Sequence, residues 1–407
     1  MKRKFVDFKV LTASLCCAVV MGVISFVFLK MLGLSSVFRE SFPYCIWFLP
    51  LSGMFTAFVY KKYGGESSKG NNLIIQSANE GVKVPKRLAV LTFFFTLLTH
   101  FSGGSAGREG TAVQIGGALT SNVADKFGFK KEDRKTIILS GLSSAFGSVF
   151  GTPLAGAFFG MEVCCIGQFS ASAVIPCFLS SYLANAVTLL LGATHEVHTI
   201  ASVPNFDFKL ILIFVSASVF FGLLGKLFAL AVKYLKLLYA KIFKNTVLSA
   251  LAGSVIVTLL IILLNLNKYE GLSTWQQTTA FEGNANWYDM PVKFILTALT
   301  LGAGFQGGEV TPLFDIGASF GGWYANLFGI EPSFLAAIGL ICVFGSAANT
   351  PITTIMLGIE LFGAEAAPYF VFASLISFIA SGKSGIYSSQ ERKLSKSLFS
   401  AKADFSE

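Results

Sequence analysis

Charged side chains are scarce in this sequence. Asp, Glu, Lys and Arg make up only 13% of its 407 residues, whereas soluble domains carry about 25%. Hydrophobic residues make up 54%, phenylalanine alone fills 42 positions, and the mean hydropathy is +0.68. This composition excludes an ordinary soluble domain and is typical of a chain in contact with lipid.

Metal-site and disulfide patterns are also lacking. The chain has three histidines, and its seven cysteines lie in or beside apolar runs without C-x-x-C spacing. His195 and His198 flank a pair one residue too short for the H-E-x-x-H zinc motif. The G-K-S sequence at Gly382 lacks the earlier glycine of a phosphate-binding loop, because Ser377 occupies that position. We therefore predict no metal, no cofactor and no enzymatic activity.

Long runs without charge are abundant. About 20 helical residues cross roughly 30 Å of hydrocarbon, and several runs approach or exceed that length. The clearest cover 10–29, 88–107, 136–161, 210–225 and 246–267. They predict an all-α polytopic membrane protein. The basic stretch 226–244 is interpreted as a long amphipathic or interfacial helix.

The net charge of +9 comes from basic residues that lie at the edges of the apolar runs. This is the cytoplasmic bias of Lys and Arg, so we expect both termini to be cytoplasmic and no nucleic-acid partner. The first run is too long for a signal peptide and lacks an A-x-A site, which predicts an uncleaved helix. The flanking basic residues are Lys2, Arg3, Lys4, Lys9, Lys83, Lys86, Arg87, Lys130, Lys131, Arg134 and Lys135.

The chain repeats itself. GREGTAVQIGG, at 107–117, resembles GGEVTPLFDIG, at 307–317, and Glu109 matches Glu309 at a spacing of 200 residues. A second pair, GLSSAFGSVFGTPLAGAFFGME and GLICVFGSAANTPITTIMLGIE, recurs at a spacing of 198. We predict a single membrane domain over 1–407. Its parts are related repeats at 10–200 and 205–388 and a short cytoplasmic tail at 389–407.

Glycine clusters at 103–110 and 302–308 lead into the two matched glutamates. Duplicated membrane proteins often bind substrate near the midplane between broken helices. A helix that begins after each cluster would direct free N–H groups and its positive dipole end at an anion. The alternative is that the glycines only allow close helix packing. The matched pair favours an anion site between inverted-topology repeats.

These residues resemble the CLC family of anion channels and proton-coupled anion transporters. Gly107-Arg-Glu-Gly-Thr111 matches its G-[KR]-E-G-P segment, and Gly308-Glu-Val-Thr-Pro312 matches G-x-F-x-P. Gly70-Asn-Asn-Leu-Ile74 stands where the family has G-S-G-I-P, and Tyr387 stands at its pore-lining tyrosine. The resemblance implies a CLC-like fold of inverted repeats and a homodimer with one pathway per subunit.

Several departures resemble the fluoride-exporting branch, the CLC-F fluoride/proton antiporters. The proline of the first motif is Thr111, the second motif contains Glu309 and Thr311, and the central serine is Asn71. The usual inner proton-transfer position holds Val163. The resemblance therefore makes Glu309 the candidate for a second acid on the proton route. The alternatives for Glu309 are a protonated or a paired acid with a structural role.

The resemblance also implies that Glu109 gates the pore. Its carboxylate would occupy the anion site when ionised, held by N–H groups around Arg108, Glu109 and Gly110, and would leave when protonated. The alternative is a structural Arg108–Glu109 pair. Asn71 could instead cap a helix, and the two threonines could bond back to their own helices. Further donors to the anion are expected from Asn71, Tyr387, Thr111, Thr311 and the backbone of Glu309 and Val310.

The implied function is export of fluoride in exchange for protons across a bacterial plasma membrane, which relieves fluoride toxicity. The alternative is a chloride or broad-halide exchanger or channel of the same family. The expected partners are fluoride, protons, the lipid bilayer and a second copy of the chain.

Overall fold

The computed structural model describes residues 7–167, 170–205 and 207–392, and sixteen α-helices lie within these ranges. The first eight are α1 (Phe8–Ser41), α2 (Leu49–Val59), α3 (Asn71–Glu80), α4 (Arg87–Phe101), α5 (Glu109–Lys126), α6 (Lys131–Phe150), α7 (Pro153–Glu162) and α8 (Val174–Leu190). The second eight are α9 (Phe208–Ile242), α10 (Thr246–Leu263), α11 (Trp275–Phe281), α12 (Asp289–Gly302), α13 (Val310–Phe328), α14 (Pro332–Ala348), α15 (Pro351–Phe362) and α16 (Ala367–Ala380).

Short elements connect some of these helices. Strand β1 (Cys165–Ile166) pairs in parallel with β2 (Glu391–Arg392), so the segment after α7 meets the end of the described chain. A π-helix covers Tyr60–Gly64. The 3-10 helices are Pro43–Phe48, Gly65–Lys69, Ala171–Ala173 and Asn267–Tyr269. The predicted cytoplasmic charges at positions 2–4 and most of the predicted tail (393–407) lie outside the described residues.

Five helical segments of the described chain are long and apolar enough to cross a membrane. Two of them, α1 and α9, begin in the same way. The Asp7 side chain accepts a hydrogen bond from the backbone N of Lys9, and Asp207 accepts one from Leu210. Such carboxylates satisfy amides that have no partner inside the helix. Their lengths of 34 and 35 residues exceed the bilayer core, which requires tilt or extension beyond it.

The structure differs from one helix prediction. The run 136–161 is not one span, because α6 ends at Phe150 and α7 begins at Pro153. Gly151 lies between them at φ +75°, a left-handed conformation that ends helices, and proline fits the first helical position. The stretch 226–244 is helical, as predicted. It continues α9 as far as Ile242, with no glycine or proline break after Gly225.

Equivalent elements of the two repeats run antiparallel. The backbones of Gly107 and Gly308 form an antiparallel bridge. Glu162, at the end of α7, bonds to the first turn of α15, while Glu360, near the end of α15, bonds to the first turn of α7. This is the relation expected when repeats are inverted about an axis in the membrane plane.

The core lies around α6, α13 and α14. Phe146 and Phe344, at the same position of the second repeated block, are both buried with ring centroids 6.0 Å apart. Gly317 and Gly339 bring α13 and α14 together, since a Cβ on either would lie 2.1 Å from the carbonyl oxygen of the other.

Candidate functional site

The glycine clusters bring two helix N-termini to one point. Gly107 N donates to Gly308 O at 2.7 Å, and Gly308 N donates to Gly107 O at 2.6 Å. Two residues past each glycine, α5 begins at Glu109 and α13 at Val310. A Cβ on Gly308 would lie 2.8 Å from the backbone N of Gly110. Only glycine permits this approach.

The carboxylate of Glu109 lies at the start of the opposite helix. Its Oε2 accepts hydrogen bonds from the backbone N of Thr311 at 3.2 Å, from the Thr311 hydroxyl and from the backbone N of Arg108 at 3.2 Å. Glu109 is fully buried. Free amides at a helix N-terminus form an anion site, and in this structure the carboxylate group is the anion bound there.

The predicted Arg108–Glu109 pair is also present. Arg108 Nε lies 3.1 Å from Oε1 of Glu109. The other oxygen of the same carboxylate is held by the second repeat, through Thr311. The arginine therefore accounts for only part of the binding of Glu109.

The two threonines of the matched motifs bond to different partners. Thr311 donates its hydroxyl to Glu109, whereas the hydroxyl of Thr111 pairs with that of Thr96 on α4 at 2.8 Å. Neither threonine bonds back to its own helix. The structure therefore brings Thr311 to the carboxylate and directs Thr111 to α4.

Asn71 lies beside the first turn of α5. It is the first residue of α3, whose cap is Gly70 at φ +56°, and it makes no capping hydrogen bond. Its Nδ2 lies 3.4 Å from the position that a Cβ on Gly110 would occupy, and its Oδ1 is buried without a hydrogen-bond partner. The helix-cap alternative does not describe Asn71, and its amide remains a candidate donor at this site.

The remaining predicted donors, Tyr387 and Val310, make no hydrogen bond to the Glu109 carboxylate. Tyr387 is buried, and its hydroxyl lies within electrostatic reach of both Glu109 and Glu309. The backbone amide of the second repeat that holds the carboxylate belongs to Thr311, one residue beyond Val310. The roles of Tyr387 and Val310 toward an anion remain predictions.

Glu309 occupies a different environment from Glu109. It caps α13 with its backbone and is partly exposed, and it interacts electrostatically with Lys236 near the lysine-rich end of α9. Arg108 instead lines a cavity at the end of α1. Because α1 and α9 are equivalent helices of inverted repeats, those two ends face opposite sides of the membrane.

The cavity at the end of α1, here called the vestibule, has a volume of about 640 Å³. It contains both signs of charge, and within it Arg39 Nε lies 3.3 Å from Oε2 of Glu270. Its charged lining residues are Arg39, Glu40, Arg108, Glu196, Lys268 and Glu270.

Sequence reasoning missed a buried ion pair beside the site. Lys293 on α12 and Asp315 on α13 are both fully buried, with Nζ 3.6 Å from Oδ2. Asp315 lies one helical turn after Thr311, so the sequence could have indicated it as a charged residue close to the matched motif. No sequence pattern indicates that Lys293 on α12 is its partner. Among the described residues no group of three or more His, Cys, Asp or Glu side chains could hold a metal ion.

The arrangement of broken helices, facing N-termini and a glutamate between them agrees with the comparison to known families. The family described as voltage gated chloride channel matches residues 52–382, which is most of the chain. The chain belongs to this family. It is therefore an integral membrane protein with the CLC fold, and the predicted family and fold class are confirmed.

Similar proteins of the family cover nearly the whole chain. A chloride/fluoride channel protein of Pseudomonas syringae pv. tomato is 38% identical over 380 residues, 92% of this chain and 84% of that protein. An H⁺/Cl⁻ exchange transporter, ClcA of Vibrio cholerae, is 26% identical over 322 residues, 75% of this chain and 69% of that protein.

Solved structures agree with the fold. The crystal structure of a CLC-type fluoride/proton antiporter has a TM-score of 0.90 and 34% identity and covers 94% of this chain and 98% of that one. A slow cyanobacterial Cl⁻/H⁺ antiporter has a TM-score of 0.80 and 17% identity and covers 94% and 96%. The second match concerns the fold alone.

Proposed function

We propose that this CLC protein is a secondary active transporter that exports fluoride in exchange for protons. The observation that carries the proposal is the hydrogen bonding of the Glu109 carboxylate to the N-terminus of α13 through Thr311. An anionic side chain in an anion site competes with the transported anion. The similar chloride/fluoride channel protein and the similar fluoride/proton antiporter structure support fluoride as that anion.

Protonation of Glu109 couples the two ions. The ionised carboxylate accepts hydrogen bonds from backbone amides and from the Thr311 hydroxyl. When Glu109 takes up a proton it loses this attraction and leaves the site. Fluoride then binds to the same amides. Return of the ionised carboxylate displaces fluoride and releases the proton on the opposite side.

Fluoride is small and strongly hydrated, so its site needs more donors, or better-placed donors, than a chloride site. Thr311 supplies both a hydroxyl and an amide to the carboxylate that stands in for the anion. The Asn71 amide and the Tyr387 hydroxyl are proposed as the further side-chain donors. Their positions beside Gly110 and within reach of Glu109 support this role.

Glu309 is proposed as the second acid on the proton route. The usual inner proton-transfer position of the family is Val163, which is buried and cannot carry a proton. The carboxylate of the neighbouring Glu162 accepts hydrogen bonds from the backbone N of Ile352 and of Thr353. It therefore serves to cap a helix and is not assigned to the proton route. Glu309 is the partly exposed acid beside the site, and it interacts electrostatically with Lys236 of α9.

The protein is further proposed to lie in a bacterial plasma membrane with both termini cytoplasmic and to form a homodimer. The vestibule then faces outward and Lys236 faces inward. The lysine-rich end of α9 supports this orientation, since basic residues favour the cytoplasmic side. The chain contains both repeats and both sets of motifs, which supports one pathway per subunit.

The test is fluoride efflux from proteoliposomes with simultaneous recording of pH, repeated with chloride. We expect proton uptake that accompanies fluoride efflux and a much slower chloride flux. Glu109→Gln should abolish the coupled proton uptake, because the gate can no longer ionise. Equal chloride and fluoride rates would favour the broad-halide alternative, and undiminished coupling in Glu109→Gln would show that Glu109 is not the gate.

A further inference from the structure

Glu109 is fully buried, yet in the proposed cycle it must exchange protons with the outer solution. The vestibule does not include Glu109 among its lining residues, although it includes Arg108. A proton must therefore cross the space between the vestibule and the carboxylate.

A small second cavity joins the two. It has a volume of about 50 Å³ and is lined by Glu109, Thr311 and His195, among others. It shares Arg108, Glu196 and Thr274 with the vestibule, so the two cavities are adjacent. Its volume accommodates about one or two waters.

The segment between α8 and α9 closes this cavity, and its His195 is held in place. The imidazole packs on the end of α6, where a Cβ on Gly151 would lie 2.4 Å from Cδ2. Gly151 also has φ +75°, so two independent constraints require glycine there. The next residue, Glu196, accepts a hydrogen bond from the Thr274 hydroxyl at 2.7 Å, which ties the segment to the start of α11.

Both ring nitrogens of His195 are buried and have no hydrogen-bond partner. Buried polar atoms in proteins are almost always paired, so this pair requires an explanation. His100 has only one such nitrogen, Nδ1, because its Nε2 lies 3.3 Å from the carbonyl oxygen of Gly107. In His198 the buried nitrogen without a partner is Nε2, and its ring stacks on Phe281 at 4.9 Å.

The surroundings of His195 favour a neutral ring. Burial, and secondly the positive charge of Arg108, lower the pKa of His195 to about 4. The other titratable groups that line the small cavity are Glu109, Glu196 and His198. The backbone of Gly151, just after α6, lies against the ring. The remaining side chains that line the cavity carry no charge: Phe150, Thr274, Gln277, Thr311, Phe314, Leu340, Leu361 and Phe362. A neutral imidazole has one N–H and one lone pair, so it can accept and donate a proton at the same time.

We propose that His195 transfers protons between the outer vestibule and Glu109. One ring nitrogen accepts a proton from water in the vestibule while the other gives its proton to the Glu109 carboxylate, directly or through a water in the small cavity. The imidazole is neutral before and after the step and changes only its tautomer. The net change is one proton moved from outer water to Glu109. This inference rests on the proposed function of Glu109.

The test uses His195→Gln in proteoliposomes, with Val197→Ala as the control, an exposed side chain of the same segment. We expect coupled fluoride efflux and proton uptake to slow about tenfold in His195→Gln. This loss is smaller than the one expected when a proton donor is removed from a site without water, because water in the small cavity still conducts protons. The loss should grow as outer pH rises. Val197→Ala should match the wild type.

Two further measurements separate proton transfer from a structural role. In a Glu109→Gln background the gate cannot accept a proton, so His195→Gln should cause no additional change in fluoride flux. External imidazole should restore transport by His195→Ala several-fold and leave the wild type unchanged. A wild-type rate for His195→Gln at every outer pH, an equal slowing in the Glu109→Gln background, or no rescue by imidazole would overturn the inference. If the wild type itself takes up no protons during fluoride efflux, the proposed function fails first.

Discussion

Glu162 and Glu360 stand at equivalent positions of the two repeats, and each carboxylate binds the first turn of the helix that carries the other glutamate at or near its end. Glu162 accepts hydrogen bonds from the backbone N of Ile352 at 3.0 Å and of Thr353 at 2.8 Å. Glu360 accepts from Leu154 at 2.9 Å and Ala155 at 2.8 Å. Helices α7 and α15 both begin with proline, so the first amides that need acceptors are the ones the glutamates bind.

These reciprocal hydrogen bonds predict that both glutamates stabilise the fold. Glu162→Gln and Glu360→Gln should each lower the free energy of unfolding by about 2 kcal/mol, because a charged acceptor of two amides becomes a neutral one. Thermal unfolding of the purified protein in detergent measures this. Glu365→Gln, at an exposed position, is the control and should change little. An unchanged melting temperature in Glu162→Gln together with lost proton coupling would contradict the capping role.

The buried pair of Lys293 and Asp315 predicts a non-additive effect. Lys293→Met should destabilise the protein by about 3–5 kcal/mol, because it leaves the Asp315 charge buried without its partner. Adding Asp315→Leu should recover most of that loss, since no charge then remains buried. Replacing the exposed Lys69–Glu66 pair should change stability by about 1 kcal/mol or less. A double variant as unstable as Lys293→Met would show that the ion pair is not the source of the loss. Stability after chemical denaturation is the measurement.

The repeats were visible in the sequence because their motifs recur at nearly one spacing. Glu109 and Thr311 could be selected as site residues for that reason, and the resemblance of the motifs supplied the role of Glu109. The break between α6 and α7 was also encoded, by Gly151 and Pro153, but the absence of charge across 136–161 concealed it.

Contacts between distant segments could not be predicted. Nothing in the sequence specifies that the Thr111 hydroxyl pairs with Thr96 while the Thr311 hydroxyl pairs with Glu109. The same holds for His195, whose motif was examined only as a zinc site. Its importance follows from the cavity that it shares with Glu109, which depends on how seven separate stretches of the chain pack.

Thr311 is expected to hold the ionised gate in the anion site. Thr311→Val removes a hydroxyl bond to a charged group, which is worth about 1.5–3 kcal/mol. The carboxylate should therefore leave the site more often without a proton, so that fewer protons are taken up per fluoride exported. Thr311→Ser should keep the coupling of the wild type. Thr300→Val is the control, because that hydroxyl bonds only to its own helix, at Leu296 O. Equal coupling in Thr311→Val and Thr311→Ser would remove the hydroxyl from the gating mechanism.

Asn71 is expected to contribute to fluoride binding more than to folding. Asn71→Ala removes the amide beside Gly110 and should slow fluoride efflux about tenfold with little change in melting temperature, because no hydrogen bond of Asn71 within the protein is lost. Asn122→Ala is the control, since that amide bonds to Ala118 O of its own helix. Fluoride rates equal to the wild type in a folded Asn71→Ala protein would exclude Asn71 from the site.

The bridge between Gly107 and Gly308 predicts that one methyl group can disrupt the site. In Gly308→Ala the new Cβ would lie 2.8 Å from Gly110 N and 3.0 Å from Gly107 C, and both contacts are backbone atoms that cannot rotate away. The two helix N-termini must then separate, which moves the Thr311 amide away from the Glu109 carboxylate and weakens anion binding. Gly33→Ala is the matched control, because a Cβ there meets no atom within 4 Å. We expect Gly308→Ala to lose fluoride transport at least tenfold more than Gly33→Ala does, a difference of about 1.4 kcal/mol or more. Transport assays on both folded variants measure it, and equal rates would show that this close approach is dispensable.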